Sequence, residues 1–184
     1  MKNDIINFNN FNIYLCGSID DSDDRGVVWR DNVTDLLCDI GFLRHNIFNP
    51  CNKPHNSFNG KDLDAYEHVS ELRDAGKWDE IERLSKNTIR IDLRLVDKSD
   101  LLYIHVNTDV HMCGSYDEVS IARTQKKPVI AVVHGGIAKA PYWLIGRIGR
   151  KHIFSTDSEA IAYINDVVRG NIAFDPKSWL FFGR

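Results

Sequence analysis

The chain has 184 residues, 43% of them hydrophobic and 27% charged, a balance that fits one globular domain with a sizeable core. Its formal net charge is −3 and no Lys/Arg cluster stands out, so it lacks the basic face that a nucleic acid polymer requires. The longest apolar run, residues 128–133, is too short to cross a bilayer, and no membrane contact is expected.

The opening MKNDIINFNN is polar and Asn-rich, which reads as a flexible start over residues 1–11 and not as a secretory signal. Residues 12–16 (NIYLC) are a short apolar run closed by Gly17-Ser18, the pattern of a buried strand ending in a turn. Residues 20–24 (DDSDD) read mostly as a solvated acidic loop; each carboxylate near a bound dianion would oppose it by about 1 kcal/mol even in water. In residues 25–40, Val28, Val33, Leu36, Leu37 and Ile40 recur close to a helical period, and Gly41 supplies the stop. A second strand is expected over 42–48, ending at Asn49-Pro50, and a loop rich in Pro, Asn and Gly over 50–60.

Two helices follow, over 62–75 and 78–97, parted by Gly76. Strands are expected at 101–106, 128–133 and 152–154, with helices at 115–126 and 157–169 between and after them. Strands alternating with helices predict a five-stranded parallel sheet covered on both faces, in a single domain spanning 1–184. The tail 175–184 carries Trp179, Phe181 and Phe182, which suit either contact with another subunit or packing on its own domain.

Cys16, Cys38, Cys51 and Cys113 form no CxxC pair and read as reduced thiols of a cytoplasmic protein. Neither Cys51 with His55 nor His45 with His68 matches a zinc spacing, so neither a metal nor a cofactor is expected.

In a parallel sheet of this kind, ligands bind beyond the carboxyl ends of the strands. The rule singles out Gly17-Ser18, the segment 107–115 and the segment 134–136. The second of these leads to Glu118. Ser115-x-x-Glu118 fits a capping box, in which both side chains merely satisfy a helix start, and Thr156-x-x-Glu159 repeats the pattern. Asp92 lies in the 78–97 helix, four after Thr88 and three before Leu95. It thus borders the stripe of Ile81, Leu84, Thr88, Ile91 and Leu95. There it either pairs with Arg90 or Arg94 or serves chemistry. Two carboxylates converging on one hollow suit cleavage of a glycosidic bond, one acting at the anomeric carbon and one on the leaving group's proton.

Three segments resemble the nucleoside 2-deoxyribosyltransferase superfamily, which includes the 2'-deoxynucleoside 5'-phosphate N-hydrolases: IYLCGSI (13–19), IDLRLVDKSDLLYIHV (91–106) and CGSYDEVSIARTQKKPVIAVV (113–133). The resemblance implies a flavodoxin/Rossmann-like three-layer sandwich. It makes Glu118 the nucleophile, Asp92 the group that contacts the base and assists its departure, and Tyr14 the residue that orients Glu118. It places substrate against Gly17, Ser18, Ile19, Asp109, Gly114 and Ser115. The second acidic residue of the transferases falls on Met112 here, with Asp109 the nearest acid, and Asp20 stands where the monophosphate hydrolases carry a basic residue.

The expected partners are a nucleoside or nucleotide and a free nucleobase. The resemblance adds a homodimer or higher homo-oligomer. The expected activity is deoxyribosyl transfer to a second base, or to water, through a sugar–Glu118 intermediate. The rival readings are a module on the same fold that holds a nucleotide without cleaving it, and a 5'-monophosphate N-hydrolase.

Overall fold

The computed structural model describes residues 7–19, 24–52 and 62–173. Five strands, β1 (Ile13–Cys16), β2 (Ile47–Phe48), β3 (Leu101–Val106), β4 (Val129–Val133) and β5 (Ile153–Phe154), form one all-parallel sheet in the order β2-β1-β3-β4-β5. The described helices are α1 (Val27–Asp39), α2 (Asp62–Asp74), α3 (Trp78–Lys98), α4 (Cys113–Thr124), α5 (Tyr142–Ile148) and α6 (Asp157–Val168). The architecture is the three-layer α/β sandwich of the flavodoxin/Rossmann-like class.

The layers follow from the two-residue repeat of the strands. Ile13 and Leu15 of β1, Leu101 and Tyr103 of β3, and Ile130 and Val132 of β4 face one way. They pack with Val33 and Leu37 of α1 and with Ile161, Ile164 and Val167 of α6. The alternate residues, Tyr14, Cys16, Leu102, Ile104, Ala131 and Val133, face Val96 of α3, Val119 and Ala122 of α4, and Leu144 of α5. Every residue of β4 is buried, as a strand covered on both sides must be. Each Leu, Ile or Val so enclosed contributes roughly 1.5–3 kcal/mol.

Buried polar groups tie the ends of these elements down. Lys127 Nζ donates to the carbonyls of Val96 (2.5 Å) and Asp97 (2.7 Å), capping the last turn of α3 against the start of β4. Asp24, the described member of the acidic loop, accepts from the backbone N–H groups of Gly26 (2.9 Å) and Val28 (3.0 Å) at the entrance to α1.

The structure departs from the expected elements in three places. The second strand is confined to Ile47–Phe48, because residues 44–46 turn as a 3-10 helix and Phe42 is drawn into a cluster with Phe8 and Phe11. A short helix, α5, stands where none was expected; Pro141 at its start and Gly146 within it concealed it. The helix carrying Glu118 begins at Cys113, two residues before the expected start, with Met112 as its N-cap residue. The tail 175–184 and most of the loop 50–60 lie outside the described residues. No helix among the described residues is long and apolar enough to cross a membrane.

Candidate active site

The order β2-β1-β3 means that the chain leaves β1 in one direction and later returns on its other side. That reversal opens a crevice beyond the carboxyl ends of β1 and β3. A cavity of about 170 Å³ lies there, lined by Tyr14, Gly17, Ser18, Ile19, Pro50, Asp92, His111, Met112, Cys113, Gly114, Ser115 and Glu118. Among the predicted residues it gathers Glu118, Asp92, Tyr14, Gly17, Ser18, Ile19, Gly114 and Ser115. Asp109 is not among the lining residues: it is exposed in the turn after β3, where its backbone N–H bonds Asn107 Oδ1 at 3.0 Å. Met112, which takes the position of the expected second acid, is buried in the wall.

Glu118 is the sixth residue of α4, one turn past the helix start, so it does not close a capping box. Ser115 is buried in the first turn and is not the cap. The contrast with α6 is plain: there Thr156 Oγ1 accepts from Glu159 N–H at 3.3 Å, and Glu159 Oε2 accepts from Ser155 N–H at 3.0 Å. The same four-letter pattern caps one helix and places a carboxylate in a cavity on the other.

Glu118 is held from β1. The Tyr14 hydroxyl donates to Oε1 at 2.7 Å, and the Cys16 thiol donates to Oε2 at 2.9 Å. The two donors stand two residues apart on a strand and therefore share a face. Burial first, and then the negative charge of Glu118, pushes both groups well above their ordinary pKa; Asp92 adds to the effect at Tyr14. Both therefore stay protonated and act as donors. The sequence marks Cys16 only as a reduced thiol and not as a partner of Glu118. The signal was there in the alternation of IYLC, but only once Tyr14 was known to face Glu118.

Asp92 comes to the cavity from α3, half-buried, with Oδ1 shielded from solvent. Gly114 lies at the mouth of α4, and a Cβ added there would meet open space. Backbone N–H groups in this first helical turn are available to a ligand's oxygens.

The turn Gly17–Ile19 is braced from beneath. Arg30, fully buried, donates to the carbonyls of Leu15 (3.3 Å), Gly17 (2.8 Å) and Gly26 (2.8 Å). Its guanidinium lies 4.4 Å from the Trp29 ring centroid, and that indole stacks on the His105 ring at 4.1 Å and 6°. His105 Nε2 in turn lies 2.6 Å from Asp157 Oδ1, to which the Tyr103 hydroxyl also donates at 2.6 Å. A Cβ on Gly17 would approach Trp29 Cζ2 to 2.8 Å, so a larger residue there would have to displace the brace.

A larger hollow, about 780 Å³, opens at the β2 edge among Phe48, Ile91 and Leu95, with Arg44, Arg90 and Arg94 around it. The buried carboxylate with its two donors belongs to the smaller cavity, and the chemistry is assigned there. Compared with protein-family models and with curated proteins, the sequence matches none.

Proposed function

We propose that the protein cleaves the N-glycosidic bond of deoxynucleosides and passes the sugar to another base or to water. On this reading it is a member of the nucleoside 2-deoxyribosyltransferase superfamily, acts in the cytoplasm on small molecules, and assembles as a homo-oligomer. One observation carries the reading: Glu118, buried at the floor of the cavity, has one oxygen on the Tyr14 hydroxyl and the other on the Cys16 thiol, with Asp92 in the same wall.

That arrangement suits a nucleophile. Both donors favour the ionised form of the carboxylate and fix its direction. A Glu118 oxygen bonds the anomeric carbon while the bond to the base nitrogen breaks, its electron pair going to the base. Asp92, as the acid, supplies the base with a proton. In the second half, Asp92 takes a proton from the incoming base or water, which displaces Glu118 from the sugar and restores the carboxylate. The cavity falls below the ~300–1,000 Å³ of sites that enclose a whole drug-sized ligand, which suits a pentose held inside with its base toward the opening.

Incubation with deoxyinosine, with and without adenine, tests the activity by its products. Free hypoxanthine with deoxyribose indicates hydrolysis, and deoxyadenosine indicates transfer. Glu118→Gln should abolish both while leaving nucleoside affinity near wild type. Absence of both products across a panel of deoxynucleosides and their 5'-monophosphates would overturn the proposal. Tight binding without turnover would point to a binding module instead.

A further inference from the structure

We propose that the larger hollow at the β2 edge is a second ligand site, built for a small phosphorylated molecule with a flat apolar body. The inference stands apart from the proposed function, because it uses none of the residues assigned to that chemistry.

The hollow wraps the outer edge of the sheet, where β2 supplies Ile47 and Phe48. From α1 on one face come Asp31 and Thr34, and α3 on the other face supplies much of the wall. On α3 two rows run side by side. Arg90, Arg94 and Lys98, four residues apart, form a cationic row, and Ile91 and Leu95, at the same spacing, form an apolar row beside it. Asp92 falls beyond the apolar row and lines the smaller cavity instead. Two neighbouring stripes of one helix thus serve two separate hollows.

The charge at this place is set by the fold. Arg44 joins the α3 cations from the 3-10 turn before β2, its guanidinium on Asp35. Spread over residues 44–98, these four residues make no cluster in the sequence; folding assembles one. Among the described lining residues, four fixed cations meet one carboxylate, Asp31, in a chain whose net charge is −3. Like charges four residues apart on a helix repel, so the row on α3 opposes its own helix until an anion offsets it.

The residue types narrow the ligand. Guanidinium forks match phosphate oxygens in pairs, and three of the four cations are arginines. The half-buried Phe48 ring, with Ile91 and Leu95, offers apolar surface to a flat group beside the phosphates. At about 780 Å³ the hollow falls within the roughly 300–1,000 Å³ of small-molecule sites, so it can take both parts of such a ligand. A second copy of the chain is the poorer occupant: a two-fold contact through this face would set the α3 cations against themselves.

Calorimetric titration of the whole protein with adenosine and uridine 5'-triphosphates, in buffer free of divalent cations, tests the site. At least one should bind with one equivalent per chain, more weakly as salt is raised. Arg90→Ala and Arg94→Ala should each weaken that binding about tenfold or more. Both side chains are exposed, so the fold should persist, and thermal unfolding verifies it. Inorganic tripolyphosphate, which carries the charge without the apolar body, should bind at least about tenfold more weakly than the triphosphate that binds. Excess deoxyinosine should not displace the triphosphate; displacement would put it in the smaller cavity and overturn the proposal. So would binding by neither triphosphate, or an affinity that the arginine substitutions leave unmoved. Tripolyphosphate binding as tightly as the nucleotide would reduce the hollow to a charged surface and overturn the ligand class. A change of oligomeric state on arginine substitution, read by light scattering, would make the face a contact between copies and overturn the proposal as well.

Discussion

The Tyr14 hydroxyl reaches Glu118 Oε1 over 2.7 Å although the two residues are 104 positions apart in the chain. The bond spans two layers, from the second residue of β1 to the second turn of α4, and both partners are buried. A hydrogen bond to a charged group in such a place is worth about 1.5–3 kcal/mol. Tyr14→Phe keeps the ring and its packing and removes only the donor. We expect kcat to fall about 10- to 100-fold with little change in KM, since the donor acts on the reacting group and not on bound substrate. Steady-state kinetics on deoxyinosine, with thermal unfolding as a control for folding, checks this. An unchanged kcat would show that Tyr14 is packing alone.

Asp92 is assigned the leaving group's proton, and that role has a signature beyond lost activity. General acid catalysis contributes about 10²- to 10⁴-fold, and it matters less as the leaving group improves. Asp92→Asn should therefore be severe on nucleosides of ordinary bases. It should be mild on analogues whose base departs readily as an anion. Measuring kcat for both variants across bases of graded acidity gives the answer. A loss of constant size across the series would mean that Asp92 only orients the base.

Much of this was written locally, and what was not has physical causes. β1, β3 and β4 are short apolar runs bounded by turn residues, and each formed within a residue of its expected limits. The strand expected at 42–48 failed because an apolar residue can be buried without being paired: Phe42 packs edge-on against Phe8, at 4.9 Å, outside the sheet. At the site, the sequence named Glu118, Asp92 and Tyr14, because those residue types recur in an order and spacing that resembles a family. It could not choose between a cap and a catalyst for Ser115-x-x-Glu118, since that depends on whether the helix begins at Ser115 or two residues earlier. Cys16 and the Arg30–Trp29 brace depend on parallel register and on which way α1 crosses the sheet, neither of which any local pattern encodes.

Gly17 separates the brace from the cavity, and its substitution should be felt on both sides. A Cβ there would sit 2.8 Å from Trp29 Cζ2 and 3.3 Å from the His105 carbonyl oxygen, and the latter cannot move without disturbing β3. Overpacking of this kind costs about 1–3 kcal/mol. Gly17→Ala should lower stability by that amount and, on the proposed function, raise KM, because the displaced turn lines the cavity. Trp29→Leu should relieve part of the loss when combined with it. A double-mutant cycle by urea unfolding measures the coupling; additive effects would show that indole and glycine do not constrain one another.

Asp157 gives the fold a pH dependence whose sign can be worked out. Burial alone would raise its pKa, but the hydrogen bonds from His105 and Tyr103, with the positive charge of His105 and His134, outweigh burial and hold it below the ordinary aspartate value. A carboxyl whose pKa is lower in the folded than in the unfolded state binds fewer protons when folded. Its contribution is therefore complete above the unfolded value of about 3.9, and is lost as pH falls through the lower, folded value. Wild type should thus lose stability steeply on acidification below about pH 4, while Asp157→Asn starts less stable and declines along a shallower slope in that window. Urea midpoints collected from neutral pH down through the acid range compare the two slopes. Parallel curves would mean that the His105–Asp157 contact contributes nothing through charge, and that the Trp29 stack holds the turn on packing alone.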